Sequence, residues 1–225
     1  MRHQEKILRN IHKPSLSLVC AFLGLAFFTT NSANASESTA IKLTTKAPLF
    51  DGRCREDEWQ SATKITLPAQ AAIYLMHDKD SLYVCAKGKA EDYTVIDIYI
   101  EHSETGLLHN LHASAQLGEK RLKGKEWGES QRWNLKDWGG FWVPYAGYED
   151  TEDGGRRPKF LKGSDREIQI LRKKFPGNVW KIMVGVSAIH HEGKSQAFFY
   201  PQKAIDTDSS TWKMFSFSQY KAVNK

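Results

Sequence analysis

The sequence predicts an all-β fold: an antiparallel sandwich of the jelly-roll kind, with long loops and one short N-terminal helical turn. Three observations predict it. Short apolar runs alternate with polar residues at a period of two, as strands with one buried face require. Turn-forming residues separate those runs. No segment carries the spacing of a long amphipathic helix. Chains with many short strands and this texture form sandwiches or barrels.

The chain opens on a pattern of its own. Arg2, Lys6, Arg9 and Lys13 precede an apolar run over residues 16–28, and Ala33-Asn34-Ala35 then offers a small-x-small cleavage site. This is the order of a secretory signal peptide over residues 1–35. The run falls short of the roughly 20 apolar residues a membrane-spanning helix needs. The expectation is cleavage near Ala35, a periplasmic or extracellular address and no stable membrane span afterwards. Residues 36–44 read as a polar leader and 45–220 as a single sandwich domain.

The whole chain carries a net charge of +6. The four basic residues of the signal, set against Glu5, supply half of it. What remains is scattered, so no nucleic-acid partner is expected. Of the 3 cysteines, Cys54 and Cys85 survive cleavage. A lone pair in an oxidising compartment predicts a disulfide.

Along the mature chain, 73–76 reads as a strand and 77–81, His-Asp-Lys-Asp-Ser, as a polar hairpin turn. Leu82, Val84 and Ala86 then share one face of the next strand. Ile96, Ile98 and Ile100 share a face over 95–101, with Asp97, Tyr99 and Glu101 opposite. Strands are further expected over 107–115, 166–171 (Ile168 and Ile170 inward), 180–188 (Ile182, Val184 and Val186 together), 197–200 and 212–217. Residues 56–62 read as about two helical turns. Trp59 and Ala62 lie on one face of it at i, i+3 spacing, ready to cap the core. Residues 118–162 hold four of the 7 tryptophans, many glycines and little alternation. They read as long loops draped over the scaffold.

Residues 49–62, Leu-Phe-Asp-Gly-Arg-Cys-Arg-Glu-Asp-Glu-Trp-Gln-Ser-Ala, resemble the start of family 9 carbohydrate-binding modules and their wider DOMON-like sandwich superfamily. The strand, Asp-containing turn and Leu82-Tyr83-Val84 strand that follow are similar to the family's, as are Asp97, the Trp180 strand, Pro201 and the closing 212–217 segment. Met183 and Ser187 depart from it, standing where the family commonly has Glu and Pro. The fragments cover most of 45–218, and 118–162 matches nothing in the pattern. The resemblance implies a β-sandwich that clamps a poly- or oligosaccharide between aromatic side chains, without catalysis.

The aromatic residues for such a site are at hand. Trp127, Trp133, Trp138, Phe141, Trp142, Tyr145 and Tyr148 crowd one stretch. Indole planes pack well on the C–H face of a sugar. Trp133, Trp138, Trp142 and Tyr145 are the expected stacking residues, and Arg132 and Asn134 the expected hydrogen-bonding partners, with Glu129 and Gln131 beside them. Trp59, Trp180 and Trp212 sit on core elements and read as structural.

Other chemistry has weaker footing. The acids of 149–154 could bind calcium, though without EF-hand spacing; no other cofactor is expected. His109 and His112 would point to opposite faces of a strand, and His190-His191 has no zinc-site companion. No nucleophile elbow, His-Glu-x-x-His or phosphate loop is present. Paired carboxylates for glycoside hydrolysis need not be close in sequence, so that activity stays open. Two alternatives to sugar binding remain at this level. One is a b-type haem redox module using Met76, His77 or Met183 as axial ligands; the other is a structural or accessory scaffold.

Overall fold

Alternation along the strands becomes two sheets facing one another in a computed structural model that describes residues 37–141, 145–161 and 163–217. The expected export signal lies outside the described residues, as do Trp142 and the side chain of Tyr145. In chain order the elements begin with β1 (Thr39–Leu43), α1 (Glu56–Trp59), β2 (Thr63–Thr66), β3 (Ala72–His77), β4 (Ser81–Lys87), β5 (Val95–Glu101) and β6 (Leu108–Ala113). They continue with β7 (Leu117–Lys123), β8 (Glu126–Trp127), β9 (Trp138–Gly140), β10 (Tyr145–Asp150) and β11 (Arg156–Phe160). The last are β12 (Asp165–Leu171), β13 (Val179–His191), β14 (Lys194–Tyr200) and β15 (Lys213–Phe217).

One sheet runs β8-β7-β6-β5-β13-β15-β1, with β14 pairing the far half of β13; the other runs β1-β3-β4-β12-β9, with β2 beside β3. β1 belongs to both and is parallel to its neighbour in each. The other ladders are antiparallel. The segment read as a polar leader thus supplies the strand that joins the sheets. Its alternation is short but present, with Ile41 fully buried between exposed Ala40 and Lys42.

The interior is built from the inward residues of both sheets. Ile73, Leu75, Leu82, Val84, Ile168 and Ile170 face Ile96, Ile98, Leu111, Ile182, Val184, Val186 and Phe215 in one continuous cluster. Two further clusters cover the outer faces. On the β3–β4 side, Cys54, Trp59, Ala62, Met76, Tyr83 and Cys85 pack together. On the β5–β13 side, Leu108, Met183 and Trp212 do so, with Tyr99, Leu122 and Trp127 against them. Trp59 and Ala62 therefore seal the outside of a sheet rather than the sandwich interior. α1 is one turn, because residues 60–62 are spent turning into β2. The Cys54–Cys85 disulfide, with Cα atoms 5.9 Å apart, ties the approach to α1 onto β4.

Local chemistry explains the turns. Asp78 Oδ1 accepts from the Asp80 and Ser81 amides at 2.8 and 2.7 Å, and its Oδ2 accepts from the Tyr83 hydroxyl at 2.7 Å. That side chain closes the β3–β4 hairpin in the manner of an Asx turn. The expectation of loops over 118–162 is corrected: five strands, β7 to β11, lie there or at its edge. β7 escapes an alternation search because Glu119 occupies an interior position opposite Leu111. The separate β10–β11 hairpin is laced by ion pairs, Arg157–Glu149 and Arg156–Asp150, so it carries little apolar signal.

Candidate functional site

Several elements meet where β5 begins and β6 ends. The Thr94 hydroxyl donates to the Ser164 carbonyl at 2.6 Å, and the Gly88 amide donates to the same oxygen at 2.7 Å, stitching the two sheets together. Asp92, fully buried, accepts from the Lys89 amide at 2.6 Å and the His190 amide at 2.7 Å. At this braced end lie two neighbouring pockets that both border Ala115, taken together as the two lobes of a candidate groove.

The first lobe, about 400 Å³, lies between Ala115, Gln116 and Leu117 at the β6–β7 turn and Arg132 and Trp133. Trp133 is 81 % exposed. The loop that presents it is pinned to β7 by reciprocal Glu119–Gln131 backbone hydrogen bonds of 2.9 and 2.8 Å, and Gln131 Nε2 donates to the Trp133 carbonyl at 3.1 Å. Asn134 turns the chain with a φ of 55°, a left-handed conformation that Asn tolerates. An indole held out by a pinned backbone, with no aromatic neighbour stacked on it among the described residues, leaves most of its surface open to a ligand.

The second lobe, about 440 Å³, is lined by Tyr93, Val95, Ser114, Ala115, Ala188 and Arg166 on the sandwich and by Glu149 and residues 157–160 of the β10–β11 hairpin. Tyr93 is 45 % exposed. Arg157 Nε donates to Glu149 Oε1 at 2.6 Å. Arg166 is only 2 % exposed; burial lowers its guanidinium to about 10.

The residues expected from the sequence divide. Arg132, Trp133 and Asn134 are exposed together on the groove-side loop. Trp138 is corrected: it is 7 % exposed, and its indole N–H donates to Glu119 Oε2 at 2.9 Å. It lies on an edge strand whose inward face joins the core, so no sugar can reach its ring. The same Glu119 takes His109 Nδ1 at 2.9 Å and Lys174 Nζ at 3.0 Å. Although burial opposes ionisation, these partners hold its carboxyl down at about 2. Trp142 and the Tyr145 side chain lie outside the described residues. Trp59, Trp180 and Trp212 are buried.

The other candidates scatter. Met76 packs by the disulfide on one outer face and Met183 by Trp212 on the other. His77 points inward, edge-on to Phe217 at 5.1 Å, where burial lowers its imidazole. The three do not converge on one haem. Glu149 and Asp150 pair with arginines, and Asp153 accepts from the Thr151 hydroxyl and the Gly155 amide. Among the described residues, no group of three or more His, Cys, Asp or Glu is arranged around a metal position. None of their helices is long and apolar enough to cross a membrane.

The sequence reading missed Tyr93 and Arg166. For Arg166 a signal existed. It alternates in phase with Ile168 and Ile170, which places a guanidinium at an interior position. A second buried acid also went unseen. Glu167, 1 % exposed, accepts from the Asp51 and Gly52 amides at 3.0 and 2.6 Å and so anchors the Asp51-Gly52 turn to β12. Desolvation, aided by the nearby Asp51 carboxylate, pushes it up to about 7. Gly52 is required there: its φ is +79° and a Cβ would fall 2.2 Å from the Phe141 ring.

No family model and no curated protein matches the chain. Solved structures do. The crystal structure of a "putative carbohydrate-binding protein" from Bacteroides uniformis is similar with a TM-score of 0.50 and 9 % identity, over 81 % of this chain and 99 % of that one. A family 9 carbohydrate-binding module from Caldicellulosiruptor kristjanssonii is similar with a TM-score of 0.46 in complex with cellotriose, at 14 % identity over 84 % of this chain and 98 % of that one. In complex with glucose it gives 0.45, at 13 % identity over 83 % and 100 %. The likeness is one of fold alone, and the first of these carries it: the chain shares the β-sandwich fold of that Bacteroides protein.

Proposed function

We propose that this chain is an exported, non-catalytic carbohydrate-binding protein that stacks a sugar ring on Trp133 at the mouth of the two-lobed groove. The observation that carries the reading is the 81 % exposure of Trp133 on a backbone pinned to β7. Leaving a large aromatic plane in water costs free energy that an apolar sugar face recovers, and a rigid platform loses little entropy on binding. Arg132 and Asn134 flank the indole with donors and acceptors for hydroxyl groups. The fold shared with the Bacteroides protein of that description supports the reading. Export is supported by the order of residues 1–35 and by the Cys54–Cys85 bridge, which suits the periplasm or the cell exterior.

The test is calorimetric titration with neutral and acidic oligosaccharides, on the wild type and on Trp133→Ala. Binding by the wild type, weakened about tenfold or more in Trp133→Ala, is the expected result; stacking on one aromatic ring is worth on the order of 1–3 kcal/mol. Unfolding stability should change by less than about 0.5 kcal/mol, because an exposed side chain is removed. Equal affinities in the two proteins, or no binding to any saccharide, refutes the proposal.

A further inference from the structure

Arg166 is the unusual residue of the groove. It stands at the start of β12, in phase with the core residues Ile168 and Ile170, yet carries a permanent charge. Among the described residues it has no ion pair. Its one side-chain hydrogen bond among them runs from Nη1 to the Asp165 carbonyl at 2.5 Å, and Nε is sealed from solvent without an acceptor. Gly163 makes room for it: a Cβ there would lie 2.5 Å from Nη1. Glu119, by contrast, is a buried charge held by His109, Lys174 and Trp138. The Asp165 carboxylate eases the charge from a distance but makes no ion pair with it; a buried guanidinium left without a hydrogen-bonded carboxylate is costly, and the cost falls when an anion completes it. Arginine is also the side chain best shaped to take a carboxylate or sulfate through two parallel hydrogen bonds.

The rest of the lobe fits the same chemistry. Arg157 and Lys159 line it with Arg166, against the single acid Glu149, which Arg157 already pairs. Tyr93 adds an aromatic wall. Ala115 lines both this lobe and the one beside Trp133, so the two are neighbours on the surface.

We propose that the Arg166 lobe is an anion subsite and that the ligand of this groove is an acidic saccharide, whose carboxylate or sulfate is taken by Arg166 with help from Arg157 and Lys159. This deepens the carbohydrate-binding reading and rests on it. In this arrangement Trp133 supplies stacking that any sugar can use, and Arg166 supplies the selection for charge.

The experiment compares charged ligands with neutral counterparts of the same shape. Trigalacturonic acid is titrated beside its methyl ester, and a sulfated galactan trisaccharide beside its desulfated form, against the wild type, Arg166→Gln, Arg157→Gln and the remote Lys64→Gln. The expected result is a preference of about tenfold or more for one acid form over its neutral partner, shrinking as salt rises. Whichever pair shows it distinguishes carboxylate from sulfate. Arg166→Gln should abolish the preference while retaining the weaker neutral binding, Arg157→Gln should reduce it, and Lys64→Gln should leave it intact. The wild-type comparison stands even if Arg166→Gln does not fold. Equal binding of both members of both pairs, all weakened by Trp133→Ala, overturns the anion subsite and leaves the carbohydrate reading standing. A preference that survives in folded Arg166→Gln also overturns it. No binding of any of the four overturns both.

Discussion

Glu167 gives the sharpest stability prediction. Its carboxyl is 1 % exposed, one oxygen holds the Asp51 and Gly52 amides, and the other is sealed without a partner. Asp51, itself paired with Arg55, is the charged group facing it. Burial raises its pKa from an ordinary 4.5 to about 7. Below pH 4.5 the carboxyl is protonated in both the folded and the unfolded chain. Between pH 4.5 and 7 the unfolded chain releases a proton that the folded chain keeps, so stability falls as pH rises, and it levels off above pH 7. At about 1.4 kcal/mol per factor of ten in the protonation equilibrium, the loss is about 3 kcal/mol. Glu167→Gln retains an acceptor for the two amides and removes the titration. Urea unfolding of both proteins at pH 4.5 and pH 8 should show the variant gaining about 3 kcal/mol on the wild type between the two conditions. Parallel profiles, with the same difference at both pH values, would refute the assignment of the penalty to this carboxylate.

Two further outcomes follow from the interior. Trp138→Phe keeps an aromatic ring in the core but removes the N–H that Glu119 Oε2 accepts, along with part of the indole; it should cost about 1–3 kcal/mol in urea unfolding and leave saccharide affinity unchanged in the calorimetric titration. Replacing Cys54 and Cys85 by Ser opens a link between residues 31 apart in sequence, and the lost constraint on the unfolded chain should cost about 3–4 kcal/mol, read as a lower urea midpoint that added reductant no longer shifts.

Most of the scaffold is legible in the sequence because burial is periodic there. β5 is readable to the residue, since Ile96, Ile98 and Ile100 alternate with polar or aromatic neighbours and end at a turn. The Asp78 turn and the disulfide are equally plain, because each rests on side chains with few alternatives. β7 is not legible, since its interior position holds Glu119 and its remaining pattern is charged. β10 and β11 pair mainly with each other and carry their ion pairs in the open, so no buried face marks them. The aromatic stretch shows the same limit at the site. Trp133 and Trp138 stand five residues apart and look alike in sequence, but a strand edge turns one into the core and a pinned loop holds the other in solvent.

Buried charge separates scaffold from site more sharply than aromatic content does. Glu119 and Arg166 both occupy interior positions on strands, so the alternation that locates the core also marks them as anomalies. Their surroundings then differ. Glu119 is closed in by an imidazole, an indole N–H and an ammonium group, and a network satisfied on all sides has nothing left to offer a ligand. Arg166 has one carbonyl and an open lobe beside it. A charge whose partners are built in fixes the position of strands; a charge whose partner is missing in the same low-dielectric setting selects what comes to supply it. On the proposed reading, the specificity of this groove therefore turns on Arg166 and its affinity for sugar on Trp133.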